Sequence, residues 1–170
     1  MAQPAPRRAF HASRPAFVKV GDSLPSIPLM ETSPGNTVNL AEELSSSNGI
    51  VIGVPGAFTP SCSAEHVPGY IKHPSLKNAG KVFVVGVHDP FVMGAWGATY
   101  GDKSGIRFLA DPKAEFTKAL ELDFEGVPIF QAARSKRYAL VVENGKVKEA
   151  HVEPDNTGVN VSAAEKVLGA

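Results

Sequence analysis

The stretch Ile50-Val51-Ile52-Gly53-Val54-Pro55-Gly56-Ala57-Phe58-Thr59-Pro60-Ser61-Cys62 decides how this chain is read. Its first five residues form a short, apolar, β-branched run, the pattern of a parallel strand buried on both faces. Downstream, Ser61 to Lys72 predicts a helix, which places Cys62 in its first turn. Backbone N–H groups without partners and the positive end of the helix dipole favour an anion there, and the thiolate is the nucleophilic form of cysteine. Cys62 is the only cysteine among 170 residues, so an internal disulfide and a cysteine-based zinc site are both excluded.

The residues before Cys62 suit a small pocket. Pro55 has no N–H and a fixed φ, so it walls one side, while Gly56 lets its backbone approach whatever lies inside. Thr59, three residues before the cysteine, is expected to bring its hydroxyl near the sulfur, where it can donate to a thiolate and accept from a substrate O–H. The competing reading is that Thr59 caps the helix and Cys62 is an inert buried thiol.

Working outward, Val82 to Val87 reads as a second buried strand and Ile106 to Leu109 as a third. Between them Pro90 to Tyr100 predicts a helix, with Asp89 as N-cap and Pro90 at the first helical position. Phe91, Met93, Trp96 and Tyr100 are spaced to cover a core or a dimer face. Asp111-Pro112 is expected to open a further helix to about Leu122. Arg137 to Val142 and Val147 to Val152 flank Asn144-Gly145, a pair suited to the positive φ angles of a type I′ hairpin. Ser162 is expected to cap a last helix to Leu168. Toward the N-terminus, Ser33-Pro34-Gly35-Asn36 suggests a turn joining two short strands, Asn39 caps a brief helix through Leu44, and Pro68 is expected to kink the helix of Cys62. Alternating strands and helices followed by a hairpin predict an α/β fold, a central mixed β-sheet flanked by helices on both faces.

With 43% hydrophobic residues and no apolar run long enough to cross a bilayer, residues 17–170 read as one domain with a proper core. Seventeen basic and seventeen acidic residues leave no bulk charge to attract nucleic acid or a membrane. His66, His73, His88 and His151 lack metal-ligand spacing and read as surface or satisfied core residues. Residues 1–16 carry Arg7, Arg8 and Arg14, His11 and no acid. That composition, with Arg8-Ala-Phe10-His-Ala-Ser13 resembling a processing motif, predicts a mitochondrial matrix presequence. A disordered leader on a cytoplasmic protein is the alternative.

Pro55-x-x-x-Thr59-x-x-Cys62 matches the peroxiredoxin active-site signature, and the run from Pro55 to Tyr70 resembles the type II, peroxiredoxin-5-like branch. The resemblance continues through Asp89 to Gly97 and Arg134 to Gly145. It implies a thioredoxin-like fold with peroxiredoxin insertions, and a thiol-dependent peroxidase that needs no cofactor. By the same resemblance, Cys62 is expected to attack hydrogen peroxide or an organic hydroperoxide and become a sulfenic acid. The resemblance implies that Thr59 and the amides of Gly56 and Cys62 orient the two oxygens and that Arg137 stabilises thiolate and transition state. Arg134 and Lys136 are nearby competitors for that cation, and only the resemblance selects Arg137. Ile129 and Phe130 match the apolar segment bordering the pocket and dimer contact. The branch also implies a homodimer. Disulfide-resolving members carry a second cysteine, near where Val84 stands or near the C-terminus. Here it is missing, so reduction must come from an external thiol, glutathione with or without glutaredoxin, or thioredoxin.

Other chemistries fit less well. A disulfide reductase wants Cys-x-x-Cys, but Glu65 stands three residues after Cys62. A cysteine hydrolase needs a histidine base at the sulfur, and His66 is expected to point away from the pocket mouth. A non-enzymatic redox switch at Cys62 remains the third reading.

Overall fold

The computed structural model describes residues 17–125, 128–130 and 132–169. Strands β1 (Pro28–Glu31), β2 (Ser33–Asn39), β3 (Asn48–Val54), β4 (Lys81–Gly86), β5 (Arg107–Ala110), β8 (Tyr138–Glu143) and β9 (Lys146–Val152) form one sheet in the order β2-β1-β5-β4-β3-β8-β9. β3, β4 and β5 run parallel, while β1 and β8 join them antiparallel. The expected mixed sheet is therefore present. A separate pair, β6 (Asp123–Phe124) and β7 (Arg134–Ser135), has no counterpart in the sequence reading.

The continuous apolar runs of β3 and β4 follow from burial on two faces. Val51, Phe83 and Val85 point into one core with Leu40 and Leu44, at α1 (Leu40–Glu43) and its C-cap, and Phe116 of α4 (Glu115–Ala119). Ile50, Ile52, Val54, Val82 and Val84 point into the other, beneath α2 (Val67–Lys72), α3 (Pro90–Ala98) and α5 (Ala164–Val167). Cys62 belongs to this second core. Strand side chains alternate between faces, so an unbroken apolar strand signals helices on both.

Several local expectations hold. Asn39 accepts from Ala41 N–H at 3.1 Å, and Asp89 accepts from Phe91 and Val92 N–H, both at 2.9 Å. Asn144 (φ 49°) and Gly145 (φ 75°) turn the β8–β9 hairpin. Others are corrected. The first hairpin turns at Thr32 (φ 62°) with an adjacent bulge, and Ser33 to Asn36 lie in β2. Asp111-Pro112 does not start a helix: Ala114 is left-handed (φ 56°), and the buried Asp111 carboxylate reaches across to Thr117 N–H and Oγ1 at 2.8 and 2.7 Å. That helix stops at Ala119, and α3 stops at Ala98. Ser162 caps nothing. The N-cap of α5 is Ala163, and the Ser162 hydroxyl donates to Glu153 instead.

One close approach aligns the site. Gly53 of β3 pairs with Tyr138 of β8, and a Cβ on Gly53 would collide with the Tyr138 ring. The ring can cross β3 only at a glycine, which fixes Arg137, the preceding residue, beside the end of β3. Gly53→Ala is accordingly expected to cost about 1–3 kcal/mol through overpacking. A urea midpoint equal to that of the parent chain would contradict this account.

Candidate active site

After β3 the chain turns through Pro55 to Thr59 and becomes helical at Pro60. Ser63 N–H bonds Thr59 O at 2.9 Å, while the Ser61 and Cys62 amides make no backbone bond among the described residues. The predicted kink takes another form. Cys62–His66 form a π-turn, with Val67 N–H bonded to Cys62 O, before α2 resumes with Pro68 in its first turn. Proline has no N–H to give and crowds the carbonyl four residues back, and the wider turn absorbs both problems. Cys62 and His66, four residues apart, share the face of this turn that meets Arg137.

The Arg137 guanidinium is buried. Its Nη1 lies 3.3 Å from Cys62 Sγ and 3.1 Å from His66 Nδ1, and its Nε donates to Thr157 O at 2.9 Å. Nη1 carries two hydrogens, so it can serve sulfur and imidazole together. Arg137 sits just before β8, where its backbone N–H donates to Asn156 O and its carbonyl accepts from Glu153 N–H. The competitors are elsewhere: Arg134 donates to Val87 O at 2.6 Å and stacks over Phe130, and Lys136 lies 4.0 Å over the Phe17 ring.

Cys62 has no exposed surface, so the pocket expected to open over the sulfur is closed in the resting chain. Thr59 is half-buried, and its hydroxyl proton goes to Gly56 O at 2.7 Å, not to the sulfur. Its oxygen lone pairs are not used by that bond. Pro55 and Gly56 are buried, and Phe130 borders the site, its ring 3.3 Å from a Cβ built on Gly56. Ile129 is 79% exposed. Phe58 is 57% exposed and held at φ 61°, an uncommon conformation for a bulky residue.

Two histidines matter more than their sequence context suggested. His66 is buried and faces the cysteine's partner instead of solvent. Its Nε2 lies 3.1 Å from Ser162 O, an acceptor only, so the proton sits on Nε2 and Nδ1 offers its lone pair to Arg137. Burial, and then the Arg137 charge, hold its pKa down at about 3. It is therefore neutral and carries no proton at the ring atom nearest the site. His88 accepts from Ala57 N–H through Nε2 at 2.9 Å and has Arg134 Nη1 3.2 Å from Nδ1, pinning the turn before Cys62 to the end of β4. Burial and then the Arg134 charge lower its pKa to about 4. His73 and His151 are tied at the surface to Gly169 O and Glu149. Met93 and Trp96 are core, Trp96 donating to Ser63 Oγ at 3.0 Å, whereas Phe91 is exposed. Among the described residues no cluster of three His, Cys, Asp or Glu is placed to hold a metal.

These histidines carry a pH prediction. The folded chain keeps His66 neutral, while the unfolded chain protonates it near 6.5, so below that pH the unfolded state binds the extra proton and stability falls. The loss starts near pH 6.5 and levels off below about 3. From His66 alone it should reach about 2 kcal/mol by pH 5. Urea unfolding at pH 7 and pH 5 measures it, and a stability that does not fall would refute the neutral, buried assignment.

A lone thiol held against a guanidinium, at the turn from a central parallel strand into a helix, is the equipment of a thiol peroxidase. The comparisons agree. The family model described as Redoxin matches residues 19–168, and the chain belongs to that family. It is 44% identical to peroxisomal membrane associated protein 20 of Schizosaccharomyces pombe, across 89% of this chain and 98% of that one. It is 40% identical to peroxiredoxin-2D of Arabidopsis thaliana, across 91% and 99%. The solved structure of reduced Prx3 of Vibrio vulnificus in complex with hydrogen peroxide superposes with a TM-score of 0.81 at 37% identity, covering 89% and 94%. The fold is thus the thioredoxin-like fold of the peroxiredoxins, and the chain is a thiol peroxidase.

Proposed function

We propose that Cys62 is the peroxidatic nucleophile and Arg137 its electrostatic partner, in a one-cysteine cycle acting on hydrogen peroxide and small organic hydroperoxides. The 3.3 Å contact between Arg137 Nη1 and Cys62 Sγ carries this reading. A cation there favours thiolate over thiol and then meets the negative charge that develops on the leaving oxygen. In the cycle the sulfur lone pair attacks the terminal oxygen and the O–O bond breaks. The departing oxygen takes a proton to leave as water or alcohol, and Cys62 becomes a sulfenic acid. Thr59, with its proton engaged by Gly56, receives the substrate O–H, and Pro55, Gly56 and Phe130 shape the space around it. The Vibrio relative's complex with hydrogen peroxide supports that substrate class.

No second cysteine exists to close an internal disulfide, so one external thiol forms a mixed disulfide with release of water and a second thiol frees Cys62. Glutathione with glutaredoxin, or thioredoxin, is the reductant. Peroxide consumption by wild type with the two systems run in parallel separates them, and turnover with neither would end the peroxidase reading in favour of a one-shot redox switch. Non-reducing electrophoresis after peroxide should show little Cys62–Cys62 dimer. Abundant dimer would contradict the external-thiol scheme.

The exposed apolar side chains Phe58, Phe91 and Ile129 support homodimerisation, with Ile129 at the contact. Ile129→Glu is expected to shift the sedimentation behaviour from dimer to monomer, and an unchanged species would exclude that surface. Residues 1–16, outside the described residues, serve as the mitochondrial presequence in this reading. Import of residues 1–170 but not 17–170 into isolated mitochondria tests it. Among the described residues no helix is long and apolar enough to cross a membrane.

A further inference from the structure

The segment after β9 contains a buried acid that the peroxidase reading leaves without a role. Glu153 is 1% exposed. Its Oε1 accepts from Asn160 N–H at 2.6 Å, Ser162 N–H at 2.9 Å and Ser162 Oγ–H at 2.7 Å, while its Oε2 is buried with no partner among the described residues. Burying a carboxylate is costly, and leaving one of its oxygens unpaired adds to that cost. A group kept under those terms calls for an explanation.

The hydrogen bonds supply one, because they close a ring. Glu153 N–H donates to Arg137 O. The Glu153 carboxylate holds Ser162. The Ser162 carbonyl accepts from Tyr70 OH at 2.7 Å and faces His66 Nε2 at 3.1 Å. His66 Nδ1 in turn meets Arg137 Nη1, which reaches Cys62 Sγ. The Arg137 backbone is thereby linked through Glu153, Ser162 and His66 to its own guanidinium. Ser162 O is the step that matters chemically. If it moves away, His66 loses the acceptor that fixes its tautomer, and a proton shifted to Nδ1 would point N–H at N–H against Arg137.

We propose that Glu153 is a positioning residue for the peroxidase reaction: its carboxylate clamps Ser162, which orients His66, which holds the Arg137 guanidinium on Cys62. The proposal rests on Arg137 acting on Cys62 as read above. The carboxylate touches no reacting atom, and its effect passes through two intervening residues.

The test compares Glu153→Ala, Glu153→Gln, His66→Leu, the Glu153→Ala/His66→Leu double variant and Arg137→Met. Each is confirmed folded by circular dichroism and assayed for its second-order rate with hydrogen peroxide and for the pH dependence of Cys62 alkylation. Glu153→Ala is expected to lose about tenfold in rate, with the alkylation midpoint displaced upward by about half a unit or more. Glu153→Gln keeps an acceptor at Oε1 and should stay within about threefold of wild type. The double variant should be no worse than His66→Leu, since both break one ring. Should Glu153→Ala not fold, Ser162→Ala, which removes one donor and keeps the carbonyl, must show a smaller displacement in the same direction. An unmoved midpoint in the folded variants, or losses that simply multiply in the double variant, overturns the proposal. An Arg137→Met chain with wild-type rate and midpoint would instead overturn the reading beneath it.

Discussion

Cys62→Ser is expected to lower peroxide turnover by at least about three orders of magnitude while leaving the fold intact. The substitution exchanges sulfur for oxygen at a fully buried position, a change small enough for the second core to accept. What disappears is the chemistry. A serine hydroxyl stays protonated beside Arg137, is a poor nucleophile, and cannot carry the two electrons that leave sulfur when the O–O bond breaks. Intact mass after one equivalent of peroxide, without reductant, gives a second readout: wild type gains one oxygen atom and the serine variant gains none. Residual turnover within tenfold of wild type would place the reaction elsewhere on the chain.

The sequence made that residue legible for a physical reason. A five-residue β-branched run followed by Pro-Gly and a helix leaves few alternatives to a buried strand handing over to a helix tip. The Asn144-Gly145 hairpin and the Asp89 cap were equally readable, because each depends on residues within three positions of one another. The failures share the opposite property. Capping is local, so Asp111 reads as the start of a helix, but its carboxylate acts on Thr117, six residues on, after a left-handed Ala114. Ser162 reads as a cap on the same logic, whereas Glu153, nine residues earlier, captures it. His66 reads as a surface or satisfied core residue, and it is buried with both ring nitrogens partnered; which groups those are is not legible locally, because they lie 71 and 96 residues away. The π-turn had one visible trace, Pro68, a residue that a regular helix accommodates poorly at that point. Arg137 could be singled out from Arg134 and Lys136 only by resemblance, since the choice among three cations before one strand is made by the loop from Glu153 to Thr157.

That loop is why replacing Arg137 should have the second-largest effect. Arg137→Met is expected to reduce the rate with peroxide by about 10²–10³, the scale of losing one preorganised donor to developing charge. Methionine fills similar volume without charge, so Thr157 O and His66 Nδ1 lose their donor and stability falls as well. Rates must therefore be normalised to folded protein. Arg137→Lys separates charge from geometry. An ammonium can approach either the sulfur or Thr157 O, but it cannot reproduce the planar fork in which Nε is anchored at 2.9 Å while Nη1 spans sulfur and imidazole. If position matters as much as sign, lysine should recover no more than about a tenth of the lost rate. Recovery to wild type would show that any buried cation suffices, and the ring of hydrogen bonds around Arg137 would then serve the fold alone.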